Sequence, residues 1–363
     1  MPVTSELVRG EGADKPLFPK CLGALLGPWY RIKNNGWAVG RFFLSSVAIS
    51  VSVNATLSSL IDAAHPSPIP DFLFCSNPSM AERTELITLR SGVRINVPIS
   101  QAPVQPSKLP TIIFLHFWGG SASTWSLVNP LISQSYPTIA LDFRGWGAST
   151  GPHEKGAYSI AALADDVDEV IAALGIKSFV LVGLSMGAKV SQLVAARVCS
   201  GVGNRGEAAV LQGLVLVSPA PPTPLALPPD MREQQLHAYD SQDSAEFVAK
   251  NVLTRSFQSR DLPSFVVSDM LRGNAWAREA WPTYAMAEDV SGGISNITVP
   301  VLVLAAAEDV VEPQERVKTE VCCRFPGARF EVVPGSGHLS PLDAPEAVAR
   351  HLLEFLDALG SDV

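Results

Sequence analysis

One stretch constrains the fold more than any other: an apolar, β-branched segment ending Val180-Leu181-Val182 runs straight into Gly183-Leu184-Ser185-Met186-Gly187 and on into a helix-forming segment. A serine at the tip of a tight strand-to-helix turn is held in strained backbone geometry. The glycines two residues to either side are needed because a Cβ there collides with the neighbouring strand or helix. Such a turn lifts the hydroxyl above the carboxyl edge of a sheet and aims the first amides of the helix at the same space. Ser185 is therefore the candidate nucleophile.

The rest of the chain supplies a sheet for that turn. After a hairpin at residues 84–89 and 93–98 around Ser91-Gly92, short apolar runs recur at 111–117, 138–143, 178–184, 213–218, 299–306 and 329–333. Runs that are apolar on both alternations suit strands covered by helices on both faces, and so a mostly parallel sheet. Residues 159–174 read as a helix with Ile160, Leu163, Val167, Val170, Ile171 and Leu174 on one face, closed by Gly175; its carboxylates Asp165, Asp166, Asp168 and Glu169 read as a solvated face. The last helix is expected from Pro345 to a stop at Gly360. Residues 219–296 break the alternation: a proline-rich start, then helical pieces too apolar for disorder. A helical cap over about 221–296 is the natural reading.

Residues 1–79 differ in texture, and we expect an irregular extension, disordered or loosely attached, ahead of an α/β domain at 80–363. Within it, Arg31, Lys33 and Arg41 precede an apolar run at 42–61, the order a membrane anchor shows, but serines, Asn54 and Thr56 interrupt the run and weigh against insertion. A net charge of −8, without a Lys/Arg cluster, argues against a nucleic-acid partner. The five cysteines are odd in number and have no metal-ligand spacing, and the adjacent Cys322 and Cys323 cannot easily bridge to each other. They read as free thiols of a reducing compartment, hence a cytoplasmic expectation and no metal site.

A serine nucleophile needs a base, and the base an orienting acid. Of six histidines, His338 in Pro334-Gly335-Ser336-Gly337-His338 follows the last core run on a flexible loop. His65, His153, His237 and His351 read blandly, and His116, ending a strand near the turn, reads as a shaping residue. The loop after the preceding run offers Glu308, Asp309 and Glu312. Asp309 is preferred because its neighbours point to other sides of the turn, and because the chain order is Ser, acid, His. Developing charge requires backbone donors. The amide of Met186 is one; a second is expected from His116-Phe117-Trp118-Gly119-Gly120-Ser121, most simply the amide of Trp118.

With these motifs and Asp142-Phe143-Arg144-Gly145-Trp146-Gly147-Ala148-Ser149, the chain resembles the α/β-hydrolase superfamily over residues 84–359. The resemblance implies an eight-stranded sheet, Ser185, Asp309 and His338 as a triad, and no cofactor. It is similar to small capped hydrolases that include esterases, lactonases and cofactor-free haloperoxidase-like perhydrolases. Dehalogenases and epoxide hydrolases of this fold carry aspartate at the turn, and Ser185 argues against both. One departure concerns the oxyanion loop, where relatives have His-Gly and this chain has His116-Phe117. The expected activity is hydrolysis of an ester or related acyl bond of a small apolar substrate. Phe117, Phe265, Trp276 and Trp281 are candidate pocket residues. Carbon–carbon bond hydrolysis of a β-diketone-like substrate, and a non-catalytic ligand-binding protein, are the alternatives.

Overall fold

The computed structural model describes residues 82–100, 109–203 and 209–361. Eight strands form one sheet: β1 (Glu82–Thr88), β2 (Arg94–Ser100), β3 (Thr111–Leu115), β4 (Thr138–Leu141), β5 (Ser178–Leu184), β6 (Val210–Val217), β7 (Val301–Ala306) and β8 (Arg329–Val333). Their spatial order is β1-β2-β4-β3-β5-β6-β7-β8, antiparallel where β2 meets β1 and β4 and parallel elsewhere. Ile112, Ile113, Phe114 and Leu115 of β3 are fully buried, as a strand covered on both faces requires.

Two helices cover one face, α1 (Ile160–Ala173) after β4 and α2 (Met186–Cys199) after β5, joined by an Arg197–Asp165 ion pair at 2.9 Å. The connection between β3 and β4 runs in the opposite direction across the sheet, which for right-handed crossovers places it on the other face. There the terminal helix α7 (Pro345–Ser361) packs beside it, with Tyr136 Oη donating to Asp357 at 3.0 Å. A bulge between β5 and β6 places Gly213 under α7, where a Cβ would come within 2.9 Å of the Phe355 ring. α7 continues through Gly360, which lies within its last turn and does not stop it.

Two further expectations are corrected. β6 begins at Val210, ahead of the apolar run, because its first residues pair with Ser178 and Phe179 while still half in solvent. The carboxylates of α1 are not one solvated face: Asp166 and Asp168 are buried. Asp166 receives both Arg144 Nε, at 2.6 Å, and Arg144 Nη2. Asp168 lies 3.8 Å from Arg197. Helical spacing cannot anticipate a partner delivered by the loop after β4.

Between β6 and β7 the described chain is helical, with α3 (Pro229–Leu236), α4 (Gln242–Val248), α5 (Ser264–Arg272) and α6 (Ala275–Thr283). Asp269 of α5 accepts from Ser121 Oγ, and Arg278 of α6 accepts from the Trp118 indole, so this insertion sits on the loops at the carboxyl ends of the strands. We refer to it as the cap. Among the described residues no helix is long and apolar enough to cross a membrane. The run at 42–61 lies outside the described residues, with the rest of the extension through Ala81. Cys199, Cys322 and Cys323 are free thiols, and no metal-binding group of His, Cys, Asp or Glu is found among the described residues.

Candidate active site

Parallel pairing sets Leu115 of β3 against Gly183 of β5, so the loops that follow them leave the sheet side by side. The connections from β3 and β5 diverge here, and a crevice opens at such a switch point. At the end of β5, Ser185 has φ 55° and ψ −113°, conformations a side chain rarely adopts and that cost about 1–3 kcal/mol. The sheet holds it there. Ser185 N–H donates to Val217 O at 3.0 Å, and Ser185 O accepts from Ala188 and Lys189 of α2. A Cβ on Gly183 would collide with Gly187 O and meet Ser191 Oγ at 2.5 Å; one on Gly187 would lie 2.5 Å from Leu115 O and 2.6 Å from His116 O. Both glycines are thus required by close backbone approach. The Ser185 hydroxyl does not cap α2.

His338 Nδ1 lies 2.9 Å from Asp309 Oδ2, with both side chains buried. Asp309 Oδ1 accepts from the amides of Val311 and Glu312 at 2.8 and 2.9 Å, a turn that fixes the carboxylate before the imidazole arrives. Burial works to raise the Asp309 pKa, but His338 and these amides outweigh it and hold the carboxyl below its ordinary value. Burial likewise works to lower the pKa of His338, and Asp309 with Glu312 outweighs it and raises it. An ionised Asp309 can only accept, so Nδ1 carries the proton and Nε2 is the basic nitrogen. The loops bearing the pair are tied together by Glu308 N–H to Ser336 O at 2.9 Å. Of the competing carboxylates, Glu308 is exposed and pairs with Arg255 of the cap. Glu312 is buried against Arg316 at 3.3 Å, and burial pushes its pKa up to about 7. Among the described residues, no hydrogen bond joins Ser185 to His338; this contact is often loose until substrate is present.

On the other side of the crevice His116 is fully buried, and its Nε2 accepts from Phe143 N–H at 3.0 Å. Nδ1 therefore donates to Phe117 O, at 2.7 Å, and burial lowers the pKa to about 4, keeping the ring neutral. Phe117 O also accepts from Gly120 N–H at 3.0 Å. Among the described residues the amides of Trp118 and Met186 donate to no protein acceptor, one on the loop after β3 and one at the start of α2. Asp142 secures the far end of this loop, accepting from Ala122 N–H at 2.6 Å and Ala148 N–H at 2.8 Å.

The pocket candidates divide. Phe117 and Phe265 meet in a narrow cavity beside the oxyanion loop, lined also by Val266, Asp269 and Leu342. The Phe117 ring packs against Gly120, where a Cβ would lie 2.7 Å from ring carbons. Trp281 is buried in the hydrophobic core and Trp276 is half-buried against it; neither lines that cavity. Sequence reasoning missed Tyr239, Asp269 and Lys189. The last is a fully buried lysine one turn after Ser185, whose Nζ donates to Thr223 O and Met286 O at the two ends of the cap. A lysine within an otherwise small and apolar helix start was the available signal.

Comparison with known proteins identifies the fold and its family. Among curated relatives, the chain is 26% identical over 274 residues to a Klebsiella pneumoniae protein provisionally described as the carbamate hydrolase RutD, covering 74% of this chain and 97% of that one. It is 27% identical over 270 residues to the non-heme chloroperoxidase CPO-A1 of Kitasatospora aureofaciens, covering 68% and 92%. Among solved structures, the enol-lactonase of Burkholderia xenovorans superposes with a TM-score of 0.64 at 20% identity, covering 75% of this chain and all of that one, which shows the shared fold. A model of the Alpha/beta hydrolase family matches residues 112–351, which span β3 through the first turns of α7 and so include the elbow, the acid loop and the histidine loop. The chain belongs to the alpha/beta hydrolase family and is a hydrolase of that type.

Proposed function

We propose that the protein is a serine hydrolase that cleaves a carboxylic ester or related acyl bond of a small apolar substrate. The observation that carries this reading is the buried His338–Asp309 pair, with Nδ1 committed to the carboxylate and Nε2 left basic, on the loops that follow β8 and β7. In the proposed reaction Ser185 Oγ attacks the carbonyl carbon as its proton passes to His338 Nε2. Asp309 holds the ring and stabilises the imidazolium. The amides of Met186 and Trp118 receive the negative oxygen of the tetrahedral intermediate. His338 then protonates the leaving alkoxide, and a water molecule, deprotonated by the same nitrogen, releases the acyl group and restores Ser185. Phe117 and Phe265, facing one cavity, support an apolar group beside the scissile bond.

The test is a fluorophosphonate probe with peptide mapping, followed by turnover of an ester chain-length series. Labelling at Ser185 that disappears in Ser185→Ala, together with loss of turnover, is the expected result. Labelling at another residue, or full esterase turnover in Ser185→Ala, overturns the mechanism. Turnover of a β-diketone with no ester activity would replace the substrate class while retaining the triad.

A further inference from the structure

The oxyanion loop is held from above by the cap. Past Trp118 the chain bends at Gly119, with φ +100°, and passes so close to Tyr239 that a Cβ there would lie 2.5 Å from the phenol oxygen and 2.6 Å from ring carbons. Tyr239, between α3 and α4, is buried, and its Oη donates to Trp118 O at 3.0 Å. Its ring lies against the Trp118 indole with centroids 4.3 Å apart. The indole Nε1 in turn donates to Arg278 O at 3.0 Å, and Arg278 Nη1 donates to Tyr239 O at 2.6 Å. The circuit of three hydrogen bonds therefore closes on itself, joining the catalytic loop to two parts of the cap. Burial drives the phenol's pKa far above its ordinary value, so Tyr239 remains a donor at any working pH.

The Trp118 N–H lies in the peptide plane that carries Phe117 O, and the φ and ψ of Trp118 couple that plane to the next one, which carries Trp118 O. The first plane is fixed through Phe117 O, by His116 and Gly120 from the sheet side. The next plane, through Trp118 O, is fixed by Tyr239 from the cap side. With both planes fixed, little freedom is left at Trp118 itself.

We propose that Tyr239 is a positioning residue for the oxyanion hole, completing from the cap side the hold on the Trp118 amide that His116 and Gly120 begin from the sheet side. This rests on the serine-hydrolase reading, with Trp118 as the second donor. Groups aimed at a developing charge act chiefly on the transition state, whereas contacts made equally to substrate act on KM. Loss of the phenol hydroxyl should therefore lower kcat and leave KM in place.

Tyr239→Phe in the full chain removes the hydroxyl and keeps the ring. We expect kcat on a short-chain p-nitrophenyl ester to fall about tenfold, a fraction of the loss that follows deletion of an oxyanion donor, with KM changed less than about twofold. Affinity for phenylboronic acid, whose adduct on Ser185 mimics the tetrahedral intermediate, should fall by the same factor as kcat/KM. An unchanged kcat, or a rise in KM with kcat intact, overturns the proposal. If Tyr239→Phe does not fold, Trp118→Phe opens the same circuit at Arg278 and carries the same expectation. Wild-type protein that fluorophosphonate fails to label at Ser185 overturns the hydrolase reading and this inference together. A labelled, active wild type with an unaffected Tyr239→Phe overturns the inference alone.

Discussion

The two sides of the crevice are built by opposite means. The elbow at Ser185 is fixed by backbone: a positive φ, hydrogen bonds to Val217 O and from the start of α2, and two glycines whose positions admit no Cβ. The loop at Trp118 is fixed largely through side chains, with the His116 ring below it and the Tyr239 hydroxyl above, and the Trp118 indole itself reaching Arg278 O of the cap. Strain in a turn persists only where its surroundings over-determine it, and the buried central strands with the start of α2 do so at Ser185 chiefly through backbone contacts. A loop held in part by a separate helical insertion depends on how that insertion packs. On our reading the proposed nucleophile is positioned by the sheet, while the proposed second oxyanion donor depends on the cap as well.

The largest expected effect lies on the elbow. Ser185→Ala should cost about 10⁶-fold in kcat, since removing the nucleophile leaves only binding and the oxyanion donors, and residual turnover is measured by progress curves at high enzyme concentration. Next is Gly187→Ala, which drives a methyl group into Leu115 O and His116 O. We expect a loss of roughly 3 kcal/mol in stability, read from urea unfolding, with activity lost in parallel; a stable and active variant would break the claim that backbone fixes the elbow. Tyr239→Phe, with its expected tenfold fall in kcat, should leave the unfolding midpoint much closer to wild type. A large stability loss there would erase the contrast between the two sides.

The smallest effect concerns pH. As a base, His338 must be neutral, and its raised pKa places the acid limb of kcat/KM above pH 6.5, with activity falling below it. Its charged form also stabilises the fold through Asp309, a contribution complete below about 6.5 and lost as pH rises through the folded value. Part of the upward shift comes from Glu312, so Glu312→Gln should move the acid limb to lower pH by a few tenths of a unit. The plateau kcat and phenylboronate affinity should not change, because Glu312 touches neither donor. A limb that stays in place would show that Asp309 alone sets the imidazole.

Legibility followed the same division. Local backbone demands leave local signatures, and for this reason Gly183, Ser185 and Gly187 and most strand positions could be read directly. Asp309 could be preferred over Glu308 and Glu312 because its neighbours fall on other sides of the turn, yet all three lie in one short loop, and only the tertiary placement of His338 shows which carboxylate it meets. The cap was legible as an apolar interruption of the alternation, but its contacts were not. Tyr239 and Trp118 are 121 residues apart, and no spacing rule relates them. Asp166 was misread for the same reason, since its Arg144 partner comes from a loop on a different element.

What the sequence determined by itself is what short-range sterics and periodicity dictate: a mostly parallel sheet from runs apolar on both faces, and a strained turn that only glycine neighbours permit. The tertiary structure alone decided which carboxylate holds the imidazole, that Trp281 belongs to the core, that the Phe117 ring packs against Gly120, and that a tyrosine of the cap grips the loop at Trp118. Those choices depend on side chains that meet across elements, where the energy of an interaction belongs to the pair and neither residue's own position in the chain records it.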